Sequence, residues 1–138
     1  MIIFDSGPLL AFVNPKDSNH EKAKTLMDKA FSGTYGRLVV SNYIIDEVLT
    51  LSRVRTKSCE YGQAIMKIIR YKRNDKSLFY EIIIDRQMLE KIEALYDKYC
   101  EVGLSFTDCS LLGLMEIYQM DYLATFTSEF NGLVPIIG

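Results

Sequence analysis

Ile2-Ile3-Phe4-Asp5-Ser6-Gly7-Pro8-Leu9-Leu10 is an apolar run that stops abruptly at a carboxylate and a turn. It reads as a short buried strand, then a turn, then a short helix through Leu9, Leu10, Phe12 and Val13. The same alternation continues outward. Ser18-Asn19-His20-Glu21 has the pattern of a capping box, with Ala23, Leu26, Met27, Ala30 and Phe31 at helical spacing behind it. Leu38-Val39-Val40 is a second strand, passing through Ser41 as a cap into a helix that carries Glu47, Leu49 and Leu51. A further helix is expected from about residue 57, with Tyr61, Ala64, Ile65, Ile68 and Ile69 on one face. The β-branched stretch 78–84 predicts a strand. Residues 86–99 predict an amphipathic helix with Met88, Leu89, Ile92, Leu95, Tyr96 and Tyr99 inward. Residues 104–108 lead into a nearly all-apolar helix over 111–118, and 122–125 and 133–137 close the sheet. Short apolar strands alternating with amphipathic helices predict a single α/β domain over residues 1–138, a mainly parallel sheet covered by helices on both faces. In such sheets ligands bind beyond the carboxyl ends of the strands, where Asp5 falls.

A chain of 138 residues can bury a sufficient core without disulfides or a structural metal. Cys59, Cys100 and Cys109 are odd in number and form no Cys-x-x-Cys pair, so free core thiols in a reducing compartment are expected. The opening residues lack the basic flank of a secretory leader, and the apolar run 111–115 is too short to span a bilayer. The expectation is a cytoplasmic protein with no membrane partner. Net charge is −2, but residues 53–76 hold eight basic side chains against Glu60 and Asp75. Such a segment either attracts a polyanion or merely solvates exposed helices. Arg53, Arg55 and Lys57, with parts of 67–76, are the candidates for contacting phosphates beside the acidic site.

Asp5, Glu47 and Asp108 are each explicable alone. Asp5 has ordinary turn chemistry, Glu47 is one helical glutamate among several, and Asp108 complements a helix dipole. Their shared placement is more informative, because all three fall at a strand-to-helix transition or in the first turns of the helix that follows. On a parallel sheet such positions face one end. Converging carboxylates repel unless a cation lies between them, and hard oxygen ligands select Mg²⁺ or Mn²⁺ over zinc. A cation of that kind stabilises negative charge on a phosphodiester undergoing attack. His20 is the only histidine and is expected on the surface, so neither a zinc site nor a Ser/His/Asp set is available.

Three segments, residues 3–11, 41–48 and 104–111, resemble the acidic motifs of the PIN-domain ribonucleases, most nearly those of VapC-type toxins. The resemblance takes in the whole chain, including Asn19-His20 and the segment from Thr125 to Phe130. It implies a three-layer α/β/α fold, Mg²⁺- or Mn²⁺-dependent endoribonuclease activity, a homodimer and a small antitoxin that blocks the site. Asp5, Glu47 and Asp108 are then the catalytic and metal-holding residues. Ser6 is the hydroxyl beside the first aspartate, and Thr107 caps the helix of Asp108 or bonds a ligand. Thr127 stands where the family commonly has a fourth acid, and Glu129 is the nearby carboxylate that could substitute for it. That departure motivates an alternative, a catalytically weakened RNA- or protein-binding module on the same fold. A phosphoacceptor domain fits poorly, since no acidic pair stands at the first strand and no Lys follows Ala124.

Overall fold

Ile2, Ile3 and Phe4 are fully buried in the computed structural model, which describes residues 1–138. They form β1 (Ile2–Phe4), the central strand of the protein. α1 (Ser6–Val13) and α2 (His20–Phe31) lead to β2 (Leu38–Ser41), followed by α3 (Asn42–Thr56) and α4 (Glu60–Ile69). A small hairpin, β3 (Lys72–Arg73) and β4 (Lys76–Ser77), precedes β5 (Phe79–Ile82). The chain then forms α5 (Arg86–Tyr99), a 3-10 turn at Cys100–Val102, α6 (Phe106–Tyr118), β6 (Tyr122–Ala124), a second 3-10 turn at Ser128–Phe130, and β7 (Ile136–Ile137).

The main sheet runs β5-β2-β1-β6-β7 and every pairing in it is parallel. Ile2 is in register with Leu38 on one side and Tyr122 on the other, and Leu38 is in register with Phe79. These strands therefore start at one end of the sheet and finish at the other. From β1 the chain steps outward to β2 and β5, then crosses back to β6 on the far side of β1. Right-handed crossovers put α1 to α4 on one face and α5 with α6 on the other, because the direction of travel reverses after β5. The resulting β1/β6 boundary is a topological switch point. The expected layered α/β architecture is present, with a sheet that is wholly rather than mainly parallel.

Several local expectations are corrected. The turn before α2 is not a capping box, since Asn19 caps without a side-chain bond while the Asp17 carboxylate accepts from the Asn19 N–H at 2.8 Å. α3 ends at Lys57 in a left-handed conformation (φ 56°), so the next helix starts at Glu60 and not at 57. α6 starts at Phe106, five residues before the apolar run, because Ser105 and Asp108 form a true capping box there. The antiparallel hairpin was not expected; Asn74 and Asp75 both take positive φ (52° and 61°), the backbone of a tight hairpin turn. Ile83 is exposed beyond the end of β5, and Tyr96, expected inward, is 40% exposed. Among the cysteines only Cys109 is buried, and Cys59 and Cys100 lie on the surface. A 29-residue apolar cluster holds the layers together. No helix is long and apolar enough to cross a membrane.

The contact between α5 and α6 depends on Gly113. A Cβ built there would stand 2.9 Å from Ile92 Cγ1, and Ile92 is fully buried with a stiff β-branched χ1. Gly113→Ala gains about 1 kcal/mol of helix propensity but overpacks a closed contact by about 1–3 kcal/mol. We expect a lower melting temperature for Gly113→Ala, and a smaller effect of the same substitution in an Ile92→Ala background, read from a double-mutant cycle of thermal denaturation.

Candidate functional site

The first of the three acids is fixed by the strand that precedes it. The Asp5 N–H donates to Ala124 O at 3.0 Å, extending the β1/β6 ladder by one residue, and the chain then turns into α1 with Asp5 as its N-cap. The side chain is only 8% exposed, so both carboxylate oxygens need partners. Oδ1 accepts from the Ser6 N–H at 2.7 Å, and Oδ2 accepts from the Thr125 hydroxyl at 2.7 Å. Thr125 is itself buried, at the end of β6 across the switch point. Burial pushes the Asp5 carboxyl above its ordinary range. The hydrogen bonds from Thr125 and the Ser6 N–H oppose the rise, and the negative charge of Asp108 adds to it.

Glu47 reaches the same place from the second turn of α3. Ser41 ends β2 and caps that helix by accepting from the Ile44 N–H at 3.2 Å, which sets the helix start. The Ser6 hydroxyl donates to Glu47 Oε2 at 2.6 Å and stands 3.4 Å from Asp5 Oδ1. Ser6 thus ties two acids that lie about forty residues apart in sequence, Asp5 through its N–H and Glu47 through its hydroxyl. Half-burial raises the Glu47 pKa; the Ser6 bond opposes this, the charges of Asp5 and Asp108 reinforce it, and the Arg55 guanidinium opposes it again. Asp108 arrives on the first turn of α6. Phe106 rests against Tyr43 in the first turn of α3, ring centroids 6.2 Å apart, and edge-on to Tyr96 at 5.7 Å. In this structure Asp108 Oδ2 accepts from the Ser105 N–H at 2.9 Å. Next to it, burial and the Asp108 charge raise the Cys109 thiol pKa and leave it a neutral packing group.

The remaining expected residues separate. Thr107 is not the cap of α6, a role that Ser105 takes; its carbonyl accepts from the Ser110 hydroxyl at 2.6 Å. Thr127 Oγ1 accepts from the Glu129 N–H at 3.3 Å and so caps the 3-10 turn, while Glu129 is exposed and is not among the groups that shift Asp5 or Glu47. His20 is half-buried rather than fully on the surface, with Nδ1 2.7 Å from Ala11 O. Arg55 lies close enough to Glu47 for its charge to be felt there. Arg53, two residues away and so on the other side of the helix, lines a groove against α4 with Ser58, Cys59 and Gly62. Lys57 is the exposed C-cap of α3. The 67–76 stretch does not border the acids at all. Its hairpin feeds the first residue of β5, at the opposite end of the sheet. Thr125 was missed as a site residue, because only the strand order sets it beside Asp5.

Asp5, Glu47 and Asp108 occupy one end of the sheet, and the charge of Asp108 acts on both Asp5 and Glu47, but no group of three acidic, imidazole or thiol side chains is drawn close enough here to hold a metal unaided. The donor chemistry does fit a hard divalent cation. All the donors are oxygens, two carboxyls are held protonatable by burial and mutual repulsion, and each oxygen of Asp5 retains a further lone pair.

Comparison with known proteins bears on the fold. No family model matches the chain. It is 27% identical to a VapC ribonuclease of Archaeoglobus fulgidus, over 99% of this chain and 81% of that protein. Among solved structures it superposes on VapC20 of Mycobacterium tuberculosis, described as a Sarcin-Ricin loop cleaving toxin, with a TM-score of 0.79 and 19% identity, covering 94% of this chain and 92% of that one. It also superposes on a toxin-antitoxin complex from Klebsiella pneumoniae with a TM-score of 0.64 and 17% identity, covering 100% and 97%. The central parallel sheet flanked by helices is thus the fold of the VapC PIN structures.

The raised pKa values set the pH dependence of stability. Asp5 and Glu47 bind a proton more readily folded than unfolded, so stability is highest below their unfolded values and is lost as pH rises through the raised folded ones. Asp5→Asn removes one buried charge. Without divalent cations its melting temperature should exceed that of the wild type at neutral pH, with the gap closing as pH falls toward the ordinary carboxyl value of about 4. A gap that did not vary with pH would refute the electrostatic account.

Proposed function

We propose that this homologue of the VapC ribonucleases is an Mg²⁺- or Mn²⁺-dependent endoribonuclease and the toxin of a toxin–antitoxin pair. The observation that carries the reading is the pair of Asp5 and Glu47 linked through Ser6 at the switch point, with the charge of Asp108 acting on both. Asp5, Glu47 and Asp108 would hold the cation. When bound, it supplies Lewis-acid stabilisation of the charge that builds on a phosphodiester. The chain's own residues do the rest. Thr125 and the Ser6 N–H fix Asp5, and the Ser6 hydroxyl fixes Glu47 Oε2. Glu47 Oε1, which takes no hydrogen bond within the chain, is left free to accept a proton from an attacking water. Arg55 stands near enough to neutralise a substrate phosphate beside Glu47.

The partners follow from the same reading. A small antitoxin is the expected partner, in keeping with the toxin-antitoxin complex among the structural neighbours, and it would act by covering the acidic end of the sheet. A homodimer in the cytoplasm completes the proposal. The weakened-module alternative rests on Thr127, whose hydroxyl contributes no charge and is engaged by the Glu129 N–H.

Incubation of total RNA with Mn²⁺ and the purified protein should give cleavage. Asp5→Asn, Glu47→Gln and Asp108→Asn should each lower the rate by two orders of magnitude or more, on the order of 3 kcal/mol of barrier, with circular dichroism unchanged. Saturating cation at a hundredfold excess over Kd stabilises the fold by about 2.7 kcal/mol, or roughly 5–10 °C for a chain of this size. That gain should shrink in Asp5→Asn and Asp108→Asn. Thr127→Asp should tighten cation binding and raise the cleavage rate. A wild type inert toward RNA, with a melting temperature indifferent to both cations, would leave the binding-module alternative in its place.

A further inference from the structure

The basic hairpin lies far from the acids, yet its surroundings are not those of a merely solvated face. Between the end of α4 and the hairpin is a groove of about 340 Å³ lined by Phe31, Lys67, Ile68, Tyr71, Arg73 and Leu78. Its floor is apolar and no carboxylate lines it. Tyr71 is 51% exposed, the most exposed aromatic side chain of the protein's large hydrophobics, and it lines this groove. Lys67 and Arg73 border the groove, while Lys72 and Lys76 continue the positive charge along the hairpin. None of these four forms an ion pair; the one salt bridge in the segment joins Arg70 to Glu81. The Leu78 N–H donates to Tyr71 O at 3.0 Å, which clamps the base of the hairpin and fixes Tyr71 relative to Arg73.

An exposed aromatic face between unpaired cations, over an apolar cleft of this size, matches an unpaired nucleobase with its flanking phosphates. Stacking platforms with a cationic border are how proteins hold single strands without reading sequence. A duplex offers no free base face to such a ring. We propose that this groove is a second RNA contact, taking an unpaired base on Tyr71 with Lys67 and Arg73 on the adjoining phosphates. The inference rests on the ribonuclease reading for its choice of RNA, and it makes the substrate an RNA that reaches from the acidic end of the sheet to the opposite end. Charge in residues 53–76 then serves two places, with Arg55 near the acids and the hairpin on a distant flank.

The test is binding of a fluorescently labelled single-stranded RNA, long enough to reach both ends of the sheet, to the full chain in EDTA. Anisotropy is followed across a salt series. Tyr71→Ala should weaken binding about tenfold and Tyr71→Phe should not, as expected of stacking. Lys67→Gln with Arg73→Gln should flatten the salt slope by about 1.4, the change expected when two phosphates of a single strand are no longer neutralised. Lys67→Arg with Arg73→Lys should keep the wild-type slope. Melting temperatures equal to wild type verify that these surface variants fold. Unchanged affinity and slope in the variants would overturn the proposal, as would tighter binding of duplex DNA or equal competition by polyglutamate. Groove-dependent RNA binding by a protein that cuts nothing with Mn²⁺ would support this contact while removing the ribonuclease reading. Cleavage by a protein whose RNA affinity ignores the groove would do the reverse.

Discussion

A carboxylate with 8% of its surface exposed, set at the end of a fully buried strand, is the constraint around which the rest of the protein is arranged. Desolvating Asp5 is unfavourable, and the fold compensates by supplying a donor to each oxygen from a different part of the chain. One comes from the first turn of α1 and the other from the end of β6, a hundred and twenty residues away in sequence. The parallel pairing of β1 with β6 is therefore more than a sheet contact. It brings Thr125 to Asp5, and through Ser6 the same acid is tied to Glu47 on α3. Strand order, helix caps and acid placement are one problem with one solution.

Much of this was legible in the sequence, for identifiable reasons. The strand at Ile2–Phe4 and the helix at Arg86–Tyr99 were read correctly because their burial patterns are strong and their ends carry turn or cap residues. The three candidate acids were singled out by a shared local grammar of strand, turn and helix, and the topology brings them to one end of the sheet. What the sequence hid was long-range. Thr125 is one more threonine at a strand end until β6 is known to lie beside β1. The destination of the basic segment was hidden in the same way. Its charge is obvious from composition, but only the topology shows that residues 72–77 precede β5 and so sit at the end of the sheet opposite the acids. Asn74-Asp75 carried the hairpin signal, weaker than Asn-Gly and masked by the lysines and arginine around it.

The acidic end also holds its carboxyls where their charge is disfavoured, first by burial and then by neighbouring acids. Asp5 and Glu47 are both raised in pKa by burial and by neighbouring charge, and Arg55 offsets this only from one side. A structure relaxed around its own acids would have spread them apart or paired each with a cation. Here the hydroxyls of Ser6 and Thr125 hold them in place instead, so the orientation of Asp5 and Glu47 does not depend on a ligand arriving. Preorganisation of this kind sacrifices stability in the free protein for a smaller rearrangement on binding.

The two borders of the main sheet show a different economy. β5, one edge, is four residues long and presents Glu81 in a salt bridge to Arg70, with the lysine-rich hairpin at its entrance. β7, the other edge, has only two residues and follows Pro135, which has no N–H to offer. Charge, brevity and proline are the devices by which sheets refuse to add a foreign strand. A wholly parallel sheet closes slowly, because each of its pairings spans a long stretch of chain, and during that time its borders are open to other molecules. Guarded edges of this kind disfavour assembly of one copy on another through the main sheet.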